Sequence, residues 1–309
     1  MVDGIKIFIQ LIDSQQILEH HDLRFNFSVD SETDEITKYQ AKYKHLRFTL
    51  FQPSKVLIIT GSIHYYKNDG HHNHDDFSHE DLKQTLRKFE SEFNIELDDC
   101  FIQNIEFGMN IHPPIDTGEI LNGLMYHWGS RFKELDKRGS DYRQADHQRK
   151  KFKIYDKSQQ FNLPYDLLRI EVKYTKMQDL KKLQIVTLKD LLGDHWVTST
   201  KEMLLREWDK TIYYDQSIET NVPQTPHKLK KMKQWSSPSF WENLTSQARF
   251  NENRIYKQTL KKYSEDVKGQ IREEMERKWN EMSNKHVHIN RHIRQYTPII
   301  FNDKLTTWV

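Results

Sequence analysis

Hydrophobic and polar residues alternate with a period of two along much of the first 112 positions. Five runs carry the pattern: GIKIFIQ (4–10), LRFNFS (23–28), HLRFTLF (45–51), KVLIITGSIHYY (55–66) and CFIQNIEFGMNI (100–111). Each sets β-branched and aromatic residues at alternate positions, which predicts strands that bury one face. Polar stretches such as Val29–Thr37 separate them. The period changes in SHEDLKQTLRKFESEF (78–93), where Leu82, Leu86 and Phe89 recur at helical spacing behind a loose Ser78-x-x-Asp81 capping signal. A second helix is expected after Pro113-Pro114, through Ile120, Leu121 and Leu124. FKIYDK (152–157) and LLRIEVKY (167–174) read as two further strands, joined by the Pro-broken linker SQQFNLPYD.

Beyond residue 180 the pattern is helical. Leu188–Leu192 and Glu202–Tyr213 read as helices, and VPQTPHKLKKMKQWSSPSFW (222–241) has the Pro and Ser density of a joint. Residues 239–283 read as one or two charged helices, with a broken apolar stripe through Trp241, Leu244, Phe250, Ile255, Leu260, Val267, Ile271 and Trp279. The expected fold is α+β: a largely antiparallel sheet with helices on one face, followed by a charged helical C-terminal portion. The expected division is an α+β domain over 1–215 and a helical, charged region over 216–309.

Composition narrows the class. The 309 residues include 47 Lys+Arg and 45 Asp+Glu, with 36% hydrophobic residues and a mean hydropathy of −0.87. No run approaches the roughly 18–20 apolar residues of a membrane span. The start MVDGIKIFIQLIDSQQ lacks a basic leader and a small-residue cleavage site. The one cysteine, Cys100, can form neither an internal disulfide nor a thiolate zinc site, so the expected location is the cytoplasm. The near-zero net charge hides a separation. Residues 1–130 hold 11 Lys+Arg against 21 Asp+Glu, residues 131–182 hold 15 against 8, and residues 225–294 hold 16 against 8. Two basic blocks of this kind attract a polyanion locally whatever the net charge. They make Lys150, Lys151 and Lys173, and Lys228, Lys230, Lys231 and Lys233, the candidate DNA-binding residues.

The strand pair at 151–174 carries the candidate chemistry. Alternation puts Lys153, Tyr155 and Lys157 on one face of the first strand, and Arg169, Glu171 and Lys173 on one face of the second. If the apolar faces point inward, one sheet surface holds a tyrosine, a carboxylate, an arginine and three lysines, a set suited to phosphodiester transesterification. Tyr155 is the candidate nucleophile, attacking a DNA phosphate and leaving a 3′-hydroxyl. A phenol of ordinary pKa near 10 needs positive charge to react, and Lys153, Lys157 and Arg169 can supply it. Glu171 and Glu106 are candidate ligands for Mg²⁺ or Mn²⁺, which prefer oxygen donors. Glu106 stands alone in an apolar strand, on the face of Asn104, Gly108 and Asn110, and such a carboxylate is costly to bury without a partner. His64 closes GSIHYY on the expected face of Thr60 and Ser62 and is a further candidate for the metal or phosphate. Tyr142, Tyr165 and Tyr174 are alternative nucleophiles.

The combination of IYDK with LLRIEVKYTKM resembles the gene II-type, phage replication CRI family of filamentous-phage replication initiators, and more distantly the rolling-circle initiators of small plasmids. MVDGIKIFI, LIITGSIHYYKN and NIEFGMNI are similar to further landmarks of that family in the same order, so the resemblance covers roughly residues 1–180. It implies a site-specific, metal-dependent nickase that starts rolling-circle replication and rejoins the displaced strand, acting on single-stranded or hairpin origin DNA with a host helicase as a further partner. The family's tyrosine and lysine fall on Tyr155 and Lys157, its arginine and glutamate on Arg169 and Glu171. Its acidic position in the middle strand falls on Glu106, with Asn104 where relatives carry arginine. Gln160-Phe161 stands where relatives carry a glutamate. The alternatives are a non-catalytic origin or promoter binder and a relaxase or transposase.

Three other features stand apart. Asp69, His71, His72, His74, Asp75, Asp76 and His79 form a ligand-rich loop. His286-Val287-His288 with Tyr296 matches the histidine pair of another nickase superfamily. Trp235, Trp241, Tyr256, Tyr263 and Trp279 lie among basic residues, where they could stack on bases.

Overall fold

Among the described residues, thirteen strands form where the alternation is strongest and in several places where it is weak. They are β1 (Val2–Gln10), β2 (Asn26–Val29), β3 (Ile36–Tyr43), β4 (Leu46–Phe51), β5 (Val56–Ser62), β6 (Phe101–Ile111), β7 (Leu124–His127), β8 (Ser130–Arg131), β9 (Lys133–Lys137), β10 (Ser140–Asp146), β11 (Lys150–Asp156), β12 (Leu168–Tyr174) and β13 (Thr211–Tyr213). The computed structural model describes residues 1–137 and 139–283; His286, His288 and Tyr296 lie outside the described residues. Ten strands make one sheet in the order β2-β3-β4-β5-β1-β6-β12-β11-β10-β9, and β13-β7-β8 make a second. Every pairing is antiparallel.

The large sheet has two unlike faces. Ile5, Ile7 and Ile9 of β1, Ile105, Phe107 and Met109 of β6, Phe152 and Ile154 of β11, and Ile170 and Val172 of β12 are buried in one core. Helices His79–Phe93, Val197–Asp209 and Val267–Ser283 add Leu82, Leu86, Phe89, Leu204, Trp208, Ile271, Met275 and Trp279 to it. The first of these starts in a full capping box: the Asp81 amide donates to Ser78 Oγ, and the Ser78 amide donates back to the Asp81 carboxylate. A second core gathers Met125, Tyr126, Ile212, Tyr214, Trp235, Trp241 and Tyr256 around the three-stranded sheet. The last described helix returns to the main core, where Trp279 Nε1 donates to the Val197 carbonyl.

Several expectations are corrected. The strand expected over 55–66 ends at Ser62, whose Oγ accepts from the Tyr65 amide and starts the helix Ile63–Lys67, so His64 sits on a helix. Lys157 begins a short helix, Lys157–Phe161, capped by Asp156. The helix expected through Leu124 stops at Asn122, and Leu124 opens β7. The expected joint at 222–241 instead contains helices Pro226–Trp235 and Pro238–Asn243, each with proline in its first turn. Trp235, Trp241, Tyr256 and Trp279 are core residues, not stacking platforms.

Candidate active site on the open face of the sheet

The face opposite the main core is polar because each central strand contributes its alternate residues to it. The register aligns them in rows: Lys153 stands beside Glu171 and Gly108, Tyr155 beside Arg169 and Asn110, and Lys151 beside Lys173 and Glu106. Two glycines make the room. A Cβ at Gly108 would lie 2.5 Å from Glu171 Cβ, and one at Gly4 would lie 2.7 Å from the Glu106 carboxyl carbon. The β6 backbone at Gly108 passes close beside the stem of Glu171, and the β1 backbone at Gly4 close beside the Glu106 carboxylate.

β1 supplies a third carboxylate. Oxygens of Asp3, Glu106 and Glu171 lie within 4.8 Å of one another. Sequence reasoning missed Asp3, although it carries the signal that singled out Glu106: a lone carboxylate at the mouth of an apolar strand, VDGIKIFI. Asp3 accepts from Ser62 Oγ and, at 2.8 Å, from Asn73 Nδ2. These three carboxylates are the oxygen donors able to hold a hard divalent cation.

Cations answer them. Lys153 Nζ lies 2.7 Å from Glu171 and 3.1 Å from Glu106, and Lys173 Nζ is 2.8 Å from Glu106. Arg169 bonds Glu171 through Nε at 3.0 Å, approaches Asp3 at 3.4 Å and donates to Asn110 Oδ1 at 3.3 Å. Burial opposes ionisation of Glu171, but Lys153 and Arg169 outweigh it and hold its pKa below the usual range. Asp3 is likewise held low against burial by Arg169, Lys157 and His64. The same pairing raises the pKa values of Lys153 and Arg169.

Tyr155 is 8% exposed and lines the cavity of about 390 Å³ that these groups surround, along with Tyr142, Lys157, Gln160 and Asn73. Its ring stacks on Tyr142 with centroids 5.0 Å apart. Burial, then the charge of Glu171, pushes the phenol well above its ordinary pKa, and Arg169 offsets part of this. Lys157 Nζ sits 5.3 Å from the Tyr155 ring centre and donates to Asn73 Oδ1 at 2.7 Å and Gln160 Oε1 at 3.1 Å. Asn73, from the histidine-rich loop, was not singled out in the sequence.

Other candidates lie elsewhere. His64 is buried, stacks on Phe77 and bonds Asp75 Oδ1 through Nε2 at 2.7 Å; it does not line the cavity or belong to the three-carboxylate group. Burial lowers its pKa to about 4 despite Asp75. In the same loop, Asp75 also pairs with Lys67, Asp76 with Lys278, and His79 with Asp194. Lys150 points to the opposite face and pairs with Glu207 at 2.7 Å, while Lys151 pairs with Asp146 at the rim. Lys228, Lys230, Lys231 and Lys233 lie on Pro226–Trp235, and none lines the cavity; Lys231 pairs with Glu252. Tyr174 is buried on the helix-covered face, and Tyr165 is exposed.

The chain matches no family model and no curated protein. Among solved structures it is similar to a rolling circle replication initiator protein from Geobacillus stearothermophilus. That match has 8% identity and a TM-score of 0.39, covering 67% of this chain and 84% of the other. A likeness that coarse leaves the function to be argued from the site. Among the described residues, no helix is long and apolar enough to cross a membrane.

Proposed function

We propose that the open face of the sheet is a DNA-nicking site in which Tyr155 becomes linked to a 5′-phosphate. The observation that carries this reading is one cavity lined by Tyr155, Lys153, Lys157, Glu106, Glu171 and Asp3, with Arg169 bonded to two of the carboxylates. Tyr155 Oη forms the new bond to phosphorus as the bond from phosphorus to the 3′ oxygen breaks. The phenolic proton passes to water, and the departing 3′ oxygen takes up a proton. The reverse reaction rejoins the strand. Lys157, beside the Tyr155 ring, favours the phenolate, and Lys153 and Arg169 offset charge that builds on the phosphorane. Mg²⁺ or Mn²⁺ held by Asp3, Glu106 and Glu171 would polarise the phosphate and counter the carboxylate charge that keeps the phenol protonated.

The resemblance of IYDK and LLRIEVKYTKM to filamentous-phage initiators supports rolling-circle initiation as the biological setting. The substrate is then single-stranded or hairpin origin DNA, with a host helicase following, in the cytoplasm; Lys151 and Lys173 are the strand-pair lysines placed to meet it. One observation favours the non-catalytic reading: Lys153, Lys173 and Arg169 already balance the three carboxylates, as a purely structural charge cluster would require.

The two readings separate when supercoiled and single-stranded DNA from the protein's own genetic element is incubated with wild type and Tyr155→Phe, with Mg²⁺, Mn²⁺ or EDTA. Nicking predicts a covalent adduct that requires Tyr155 and a divalent ion. Absence of an adduct from wild type under every condition selects the non-catalytic binder. An adduct on DNA from mobilisation loci instead of replication origins would assign a relaxase or transposase.

A further inference from the structure

The open face does not end at the cavity. The register continues it across four strands: Lys6 of β1 pairs with Thr60 of β5, Thr60 with Arg47 of β4, and Arg47 with Lys42 of β3. Paired residues in an antiparallel sheet project from the same face. The result is a transverse row of Lys6, Thr60, Arg47 and Lys42, spanning about 14 Å at about 4.8 Å per strand. Lys6 and Thr60 line the cavity itself. Arg47 and Lys42 line the neighbouring depression of about 540 Å³, with Arg24, Asn26 and Gln40.

Three properties set this row apart from ordinary surface charge. Lys6, Lys42 and Arg47 have no ion-pair partner among the described residues, whereas the cavity cations Lys153, Lys173 and Arg169 all do. Arg47 and Lys42 are exposed, and the row sits on the side away from the core that takes up Leu46, Phe48 and Leu50. Rings lie to one side of it: two residues along β1 from Lys6, Phe8 stands beside Phe101 of β6, which is 47% exposed, and Phe51, four residues along β4 from Arg47, is 40% exposed. Cations in line with flat apolar rings beside them match the two parts of an unpaired nucleic-acid strand, its phosphates and its bases. A duplex keeps its base faces stacked away from such rings.

We infer that this row is a track for single-stranded DNA leading out of the cavity over β1, β5, β4 and β3, with Lys6, Arg47 and Lys42 on phosphates and Phe101 under a base. It rests on the nicking reading for its direction, toward Tyr155, but its binding can be measured without any chemistry. The track comes from the acidic part of the chain, residues 1–130, where net charge gives no hint of it.

The test is equilibrium binding of a labelled oligothymidylate in EDTA, at several salt concentrations, by the full-length protein. Single strands lose affinity with a logarithmic salt slope of about 0.7 per phosphate contact. The Lys6→Gln, Lys42→Gln, Arg47→Gln triple variant should therefore lower the slope by about 2 and weaken binding about tenfold or more at moderate salt. Arg47→Gln alone should lower the slope by about 0.7, which keeps the test decisive if the triple variant folds poorly. Phe101→Ala should weaken binding about tenfold with the slope unchanged, as loss of one stacked base predicts. A slope and affinity within twofold of wild type in the triple variant would overturn the track. So would an equal loss in a Lys228→Gln, Lys230→Gln, Lys233→Gln control, or tighter binding of duplex than of single strand with the same loss. Adduct formation by the same proteins is scored separately. Salt-dependent binding through the row with no adduct sinks the nicking reading alone; adduct formation with unchanged binding sinks the track alone.

Discussion

β12 presents Ile170 and Val172 to one side of the sheet and Arg169, Glu171 and Lys173 to the other, and different physics holds the two sides. On the covered side, the strands and three helices bury aliphatic and aromatic side chains, which is favourable in almost any arrangement that fills the space. On the open side, each carboxylate is tolerable only because a particular cation stands within 3.4 Å of it. Strand alternation thus separates the requirement to fold from the requirement to hold unstable charge in one place.

The largest expected effects test that separation directly. On the covered side, Phe107→Ala should cost about 3–5 kcal/mol of stability in urea titrations, roughly independent of pH. Arg169→Met on the open side should cost a similar ~3–5 kcal/mol near neutrality, since it strips Glu171 and Asp3 of their shared guanidinium. Unlike the Phe107 loss, this one should shrink as the medium is acidified and the stranded carboxylates take up protons. Adding Glu171→Gln should recover part of it. If both single losses showed the same pH dependence, the contrast between the faces would be wrong.

A smaller effect comes from two buried histidines. Burial holds His64 neutral down to about 4, against the pull of Asp75, and His127 neutral down to about 3, against that of Glu207. Unfolded imidazoles protonate near 6.5, so below that pH the unfolded chain binds more protons than the folded one. Stability is full above about pH 6.5 and falls as pH drops toward the folded values. From pH 7 to 4.5 the expected loss is about 2 kcal/mol per histidine. His64→Gln and His127→Gln should each reduce the acid-induced loss by about 2 kcal/mol, as read by denaturant titration across that range. A slope unchanged in both variants would place the titrating groups elsewhere.

The smallest expected effect on stability is also the sharpest test of the open face. In Gly4→Ala the new methyl meets the end of the flexible Glu106 side chain, which can swing aside. Stability should change by less than about 1 kcal/mol, while Mn²⁺ affinity, measured by calorimetry, should fall several-fold. An unchanged affinity would take Glu106 out of the donor set.

Much of this was legible in the sequence where one rule sufficed. The alternation in LLRIEVKY and FKIYDK placed Arg169, Glu171, Lys153 and Tyr155 on one surface, and the register brings Lys153 beside Glu171. Asp3 escapes a reading that starts the strand at Gly4, because β1 begins two residues earlier, at Val2. β3, ITKYQAKY, escaped because Lys38, Gln40 and Lys42 make its open face polar and its inner positions are Tyr39, Ala41 and Tyr43, not Val, Ile or Leu. β7 to β9 have two to five residues, too few to show a period, and β10, SDYRQAD, is as long as β11 but lacks alternating apolar residues. His64 was misplaced because Ser62 stops the strand by capping a helix, a local hydrogen bond that the apolar pattern of GSIHYY does not reveal. Basic blocks point to different lysines from those of the proposed track. Lys150 spends its charge on Glu207, whereas Lys6, Arg47 and Lys42 are isolated in sequence and aligned only by the sheet.

The central claim is that Tyr155, held beside three carboxylates on the open face, is the group that joins DNA. Its most direct test is to digest the covalent adduct formed with Mn²⁺ and locate the attached nucleotide by mass spectrometry. The account predicts a phosphotyrosyl nucleotide at Tyr155, with none recovered from Glu171→Gln. A nucleotide on Tyr142 or any other residue, or no modified peptide from a protein that nicks DNA, would contradict it.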